Sequence, residues 1–291
     1  MSNFVQLLAS GIAQGAIYAL AALGFLLLYK ATGVFNFAQG DLMTLGAYLA
    51  YWGVNDLGMP VALACILSIA LLFVGGVVLE RVAYAPLRGQ SMYVVVIATL
   101  GAATAIRAGI GIWQGSDPKR LDSLVGQNVF ELFGATIAMQ RVVIIGVTAV
   151  AVAAIASMLY RTQLGRQFRA LADDREAAQL QGIRASRLAM LAFGLSTAVS
   201  ALGGIMIAPL SAVDLNLGFG VMLGGFAAAL IGGFGSMSGV IVGGVLIGVV
   251  QSVVGAYVMP NYSEAYPYIL MIAVIAVAPR GIFREHSSSR L

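Results

Sequence analysis

The run LNLGFGVMLGGFAAALIGGFGSMSGVIVGGVLIGVVQSVVGAYVMPNYS, residues 215–263, holds no Asp, Glu, Lys, Arg or His over 49 residues. A helix needs about 20 apolar residues to cross the hydrocarbon core of a bilayer. The run is therefore too long for one crossing and suits two. Gly235, Ser236, Met237, Ser238 and Gly239 form a turn cluster near its middle, which divides it into spans at 217–234 and 239–257.

The rest of the chain repeats the pattern. Charge-free runs occur at 1–29, 42–55, 57–79, 89–106, 142–160, 188–213 and 265–279. They place further spans at about 4–29, 36–53, 60–80, 92–113, 140–160, 188–210 and 265–280, nine in all with the first two. The span 36–53 is the weakest of the nine, because Asp41 lies inside it; eight full crossings and one partial insertion also fit. Composition agrees with this reading. The apolar set is 60% and 36 glycines bring the total to roughly 72%, against about 45–50% in soluble domains. The reading is an all-α, polytopic membrane protein with eight or nine transmembrane helices, forming a single domain over 1–291.

Lysine and arginine set the orientation. One side receives Lys30, Arg81, Arg88, Arg161, Arg166, Arg169, Arg175, Arg184, Arg187, Arg280, Arg284 and Arg290; the other receives only Lys119, Arg120 and Arg141. The first side is cytoplasmic, with the C-terminus inside and the N-terminus outside. The start of the chain lacks a basic n-region, so no cleavable signal is expected.

Several chemistries are excluded. One cysteine (Cys65) and one histidine (His286) cannot build a disulfide framework, a Cys/His metal cluster or a Ser–His–Asp triad. Neither Lys30 nor Lys119 is followed by Ser or Thr, so there is no phosphate-binding loop. If ATP drives this protein, another chain hydrolyses it. The net charge of +4 reflects loop asymmetry rather than a nucleic-acid surface.

Two loops carry information. The outer loop 114–139 contains a short alternating segment over 128–139, centred on Gly134, which predicts a hairpin. The loop is either a solvated connector or a docking surface for an external protein. The inner loop 161–187 predicts a two-turn helix. Asp173, Asp174, Arg175 and Glu176 resemble a capping box with Asp173 as N-cap; Ala177, Ala178 and Gln179 favour helix; Gly182 suits the left-handed stop. Such a helix is marginal alone, so spans, lipid headgroups or a partner's groove must hold it. Upstream, Phe168 reads as an exposed aromatic between Arg166 and Arg169.

Glu176-Ala177-Ala178 followed by Gly182 resembles the EAA…G loop of ABC importer permeases. The surrounding run, from Arg161 through Ala172 to Ile183, is similar to permeases of branched-chain amino acid importers. Three more stretches agree: Gly33 to Asp41 with Gly46, Ala47 and Tyr48; Gly232 to Ser236 with Gly239, Gly243 and Gly244; and Pro279 to Phe283. The wider pattern of maltose-type permeases is absent, since 191–194 reads Leu-Ala-Phe-Gly. The resemblance implies an inner-membrane subunit of an ATP-driven importer. A second permease chain, a homologue or another copy, would complete the pathway. Two cytoplasmic P-loop ATPase subunits would bind ATP, and this chain would carry no cofactor. An external binding protein would deliver the solute: a branched-chain or other apolar amino acid, or urea or a short amide. Asp173, Asp174, Arg175, Glu176, Ala177, Ala178 and Gly182 would then couple the spans to the ATPase. An ATP-independent channel, or a secondary transporter relying on Asp41, is the rival reading.

Polar residues inside the spans are the remaining candidates. Asp41 fits either the cytoplasmic start of a short helix, where the dipole favours it, or a wet cavity. Asn36, Gln39, Gly40 and Gly33 nearby suggest broken backbone. Arg107 can snorkel to the outer interface. Gln14 and Tyr18 share a helix face; Thr99, Thr104, Ser196, Thr197 and Ser200 are contacts between helices or ligands to a solute. Gly11/Gly15, Gly220/Gly224, Gly235/Gly239, Gly239/Gly243 and Gly244/Gly248 are GxxxG pairs that predict close helix packing.

Overall fold

A computed structural model describes residues 2–123, 125, 126, 128–132, 135–258, 260–278, 281 and 282. Nine apolar helices stand where the nine spans are predicted: α1 (Ser2–Thr32), α2 (Gln39–Asn55), α3 (Val61–Leu79), α4 (Met92–Gln114), α5 (Met139–Arg161), α8 (Ala185–Ile207), α9 (Leu217–Gly232), α10 (Met237–Tyr257) and α11 (Tyr266–Val277). Two short helices, α6 (Gln163–Asp173) and α7 (Arg175–Leu180), fill the inner loop. The hairpin forms as expected, with β1 (Val129–Leu132) antiparallel to β2 (Ala135–Ala138) and Val129 paired with Ala138. Gly134 and the closing residues Pro279, Arg280 and Phe283 lie outside the described residues.

Six of the described helices, including α3 with its extension to Leu87, are long and apolar enough to cross a membrane. The others are shorter than the runs suggest. At 1.5 Å per residue, α2, α9 and α11 measure about 25, 24 and 18 Å, against a hydrocarbon core of about 30 Å. Hydropathy does not see where the backbone breaks inside an apolar run, and each of these helices begins or ends at such a break.

The centre of the bundle is α1, which its own chain covers almost completely, followed by α8. Helix α1 lies antiparallel to α10 along a seam of glycines. A Cβ on Gly15 would stand 2.7 Å from Val245 Cα, and one on Gly248 would stand 2.3 Å from the Gly11 carbonyl oxygen. Such close approach is how helices associate in lipid, where hydrophobic drive is missing. The predicted pairs Gly11/Gly15 and Gly244/Gly248 are thus the two sides of one interface. Gly220 does not join a packed pair, since nothing lies within 4 Å of a Cβ there. Gly235 falls in the turn before α10, whose N-cap Ser236 accepts a hydrogen bond from the Gly239 amide at 3.1 Å.

Helices α3, α4 and α5 flank the body and bury only narrow stripes; in α4 these are Val95, Thr99, Ala103 and Ile110. Their open faces carry Ile66, Val74, Ile97, Ile112 and Val150. These faces suit lipid or a further membrane chain. The outer loop is tied to the body where Lys119 and Val213 exchange backbone hydrogen bonds at 2.9 Å and where Ser123 donates to Gln140 Oε1 of α5 at 2.9 Å.

Candidate transport path and coupling segment

Between α1 and α2 the backbone leaves helix over 33–38, starting at Gly33 in a left-handed conformation. The segment turns back into the bundle. The Gln39 side chain donates to the Ala21 carbonyl at 2.6 Å and packs against Gly24. These partners lie 8 to 11 residues before the end of α1, about 12–16 Å along its axis. Helix α2 therefore begins at depth, not at the cytoplasmic boundary.

Polar side chains stabilise this break. Asn36 Oδ1 accepts from the Ala38 amide at 3.0 Å, and Thr99 Oγ1 of α4 accepts from the Phe37 amide at 3.3 Å. Ser196 of α8 donates to the Gly24 carbonyl at 2.9 Å. Asn36 Nδ2 and Gln39 Oε1 are buried without a partner among the described residues. Each unsatisfied group costs about 1–3 kcal/mol, which marks the break as a place retained for something other than stability.

Asp41 sits in the first turn of α2, buried, and Arg107 of α4 grips it. Arg107 Nε lies 2.7 Å from Oδ1 and Nη2 lies 3.3 Å from Oδ2. The helix-start placement holds for the dipole, but not at the cytoplasmic edge. The expectation that Arg107 simply snorkels is also corrected: its guanidinium is a two-pronged partner for a carboxylate, and it lies over the Phe219 ring at 5.7 Å. The pair was hidden because 66 residues separate its members.

At the other end of the bundle, away from α6 and α7, a cavity of about 490 Å³ opens between α1, α5 and α10. Gln14 lines it. Tyr18 is buried on the same face of α1 and donates to Gln251 Oε1 at 2.7 Å. Ser10, Arg141, Gln251, Ser252 and Ser263 also line it. The predicted pathway residues thus fall in two places: Gln14 and Tyr18 at this cavity, and Asn36, Gln39, Asp41, Thr99 and Ser196 around the α1–α2 break. Arg141 and Gln251 escaped sequence reading, since one sits at a span boundary and the other is an unremarkable amide in an apolar run.

The inner loop is more structured than predicted. Thr162 caps α6 by accepting from the Gly165 amide at 3.2 Å. Phe168 is not exposed: with Gly165 and Leu171 it forms the buried stripe of this amphipathic helix. The α7 cap is shifted by one residue. Asp174, not Asp173, accepts from the Glu176 and Ala177 amides, both at 2.9 Å, while Asp173 ends α6. The stop is as expected. Gly182 has φ +84°, its amide reaches the Gln179 carbonyl at 2.9 Å, and the Ile183 amide reaches Ala178 at 3.1 Å. This is the double hydrogen bond of a Schellman motif. Only Ala178 of α7 is buried; Leu180 is 90% exposed. Beside α7, Arg88 pairs with the fully buried Glu80 and covers the Tyr84 ring. Burial, and then the neighbouring Arg175, push the Arg88 pKa down.

The family described as "Branched-chain amino acid transport system / permease component" matches residues 7–275. The chain belongs to this family. The branched-chain amino acid permease LivH of Escherichia coli K12 is 31% identical, over 96% of this chain and 95% of that protein. BraD of Pseudomonas aeruginosa, a permease of the same solute class, is 29% identical with the same coverage. The ribose import permease RbsC of Escherichia coli K12 is 25% identical over 91% of this chain and 82% of that protein. Within this branched-chain permease component, family stretches meet in space. Gly281 packs against Gly233 at the end of α9, and the Ile282 amide donates to the Ile231 carbonyl at 2.8 Å.

Proposed function

We propose that this chain is one transmembrane half of an ATP-driven importer in the cytoplasmic membrane, passing a branched-chain or other apolar amino acid inward. A second permease chain completes the path. Two P-loop ATPase subunits bind ATP beneath it, and an external binding protein delivers the solute. Helices α6 and α7 transmit ATPase motion to the spans through Asp173, Asp174, Arg175, Glu176, Ala177, Ala178 and Gly182.

One observation carries this reading: α7 has a built start and a built stop, yet buries a single residue in its own chain. A six-residue helix on its own is unstable. Its capped, projecting form, with Leu180 bare, suits insertion into a partner's cleft. Few charges line the bundle, which suits a small zwitterion. The similarity to LivH and BraD favours branched-chain amino acids over other solutes.

The test is gentle purification from the native membrane, followed by mass spectrometry and transport assay of the reconstituted assembly. The expected result is a P-loop ATPase and a second permease in stoichiometric amounts, with leucine uptake that requires ATP. A chain that runs alone and moves solute without ATP overturns the reading.

A further inference from the structure

We propose that the cavity between α1, α5 and α10 is a solute site in which Arg141 receives the carboxylate of the amino acid; this rests on the importer reading for the identity of the solute. The cavity's volume of about 490 Å³ lies within the range of small-molecule sites, about 300–1,000 Å³. Arg141 is the one ionisable side chain among its described lining residues. Among the described residues it has neither a carboxylate nor a hydrogen-bond acceptor.

The other arginines near the body's interior are different. Arg107 holds Asp41 and Arg88 holds Glu80. A half-buried guanidinium without a counter-charge suits an anion supplied from outside, and its planar fork matches a carboxylate. Around it, Gln14 and the hydroxyls of Ser10, Ser252 and Ser263 offer acceptors to an ammonium group, while Leu210 and Pro260 offer apolar surface to a side chain. Gln251 is held in place by Tyr18.

The floor is built by the glycine seam. Gly248 lines the cavity, and no side chain fits there, because a Cβ would meet the backbone of α1. Among the described lining residues the acceptors open to the ammonium group are neutral. The described lining thus offers a fixed cation to the carboxylate end of a zwitterion and neutral oxygens to the other. The cavity lies at the end opposite the coupling helices, where a solute arriving from outside first meets the chain.

An anionic lipid headgroup offers the same chemistry to Arg141, so the experiment separates the two sources. The complete importer is purified without its binding protein, and equilibrium binding of labelled leucine is measured. Wild type, Arg141→Lys and Arg141→Gln are compared, each checked for assembly by size exclusion. Loss of a charge-assisted bidentate contact predicts roughly ten- to hundred-fold weaker binding for Arg141→Gln, with Arg141→Lys between. The carboxylate 4-methylpentanoate should compete and the amine 3-methylbutylamine should not. ATP-driven uptake is then measured with binding protein in phosphatidylcholine vesicles, with and without phosphatidylglycerol. An equal defect of Arg141→Gln in both lipids supports the solute site. A defect confined to phosphatidylglycerol vesicles, unchanged leucine affinity in Arg141→Gln, or competition by the amine instead of the acid overturns it. Wild type that lacks ATP-driven uptake overturns the importer reading, and the binding arm still decides the site.

Discussion

Replacing Gly182 by valine tests the coupling role of α7 with a change confined to backbone conformation. Gly182 has φ +84°, and nothing lies within 4 Å of the position a Cβ would take. A valine there meets no neighbour; what it meets is the left-handed conformation itself. That conformation costs an L-residue about 1–2 kcal/mol, more for a β-branched one. The chain can accept the strain or unwind the stop. Unwinding gives up the bonds from Gly182 to Gln179 and from Ile183 to Ala178, each worth about 0.5–1.5 kcal/mol. Either route raises the folded form of α7 by about 1–3 kcal/mol relative to the frayed one. At 1.4 kcal/mol per factor of ten, its population falls about 5- to 150-fold relative to frayed states. The cap at Asp174 supplies about 1 kcal/mol and cannot offset the larger figure. Asparagine tolerates the left-handed region, so Gly182→Asn should retain much of the stop. The assay is leucine taken up per ATP hydrolysed in proteoliposomes, alongside hydrogen exchange over 175–183. Gly182→Val should exchange faster and lose at least about five-fold in coupling ratio, while Gly182→Asn stays near wild type. Normal coupling in the valine variant, or equal loss in both, would refute the reasoning.

Two further outcomes follow from packing. Asp41→Asn removes one charge from a pair at membrane depth and leaves Arg107 without its carboxylate; it should cost about 3–5 kcal/mol, read as a lowered melting temperature in detergent, and Asp41→Asn with Arg107→Met should recover much of the loss. Gly248→Leu forces a side chain into the backbone of α1 and should abolish the monodisperse peak in size exclusion, whereas Gly220→Ala, with open space around it, should behave as wild type.

The sequence makes legible whatever depends on local periodicity. Nine apolar helices, the turn at 235–236, the hairpin over 128–139 and the glycine stop at 182 are each written within a few neighbouring residues. The structure departs where a contact spans the chain. Phe168 reads as exposed because its flanks are Arg166 and Arg169, but three-residue spacing puts it with Gly165 and Leu171 on the hidden face of a helix. Arg107 reads as an interfacial arginine because nothing near it is acidic, while its partner Asp41 lies on another helix. Arg141 gives no signal at all: a basic residue at the outer end of a span is ordinary, and only the cavity beside it gives it a role.

The same division separates the parts of the molecule that hold still from those available to move. Helices α1, α9 and α10 meet one another closely at glycines, and α2 meets α8 and α9 in the same way at Gly204 and Gly218; such contacts leave little slack. Helix α4 is held differently. Its buried stripe is four residues, and its polar ties to the body include Thr99 to the Phe37 amide and Arg107 to Asp41. Both reach the α1–α2 break and the first turn beyond it, where one atom of each of two buried side-chain amides, Asn36 Nδ2 and Gln39 Oε1, lacks a partner among the described residues. At the cytoplasmic end, the turn between α3 and α4 carries Arg88, which pairs with Glu80 and lies near Arg175 of α7. Under the proposed coupling role, a displacement of α7 would reach α4 through a charged neighbour at one end, and α4 is tied by polar contacts to the α1–α2 break at its middle. Under the proposed importer reading, the glycine-packed body serves as the frame, and α4 with the break beside it is a lightly packed element that an ATPase partner could shift.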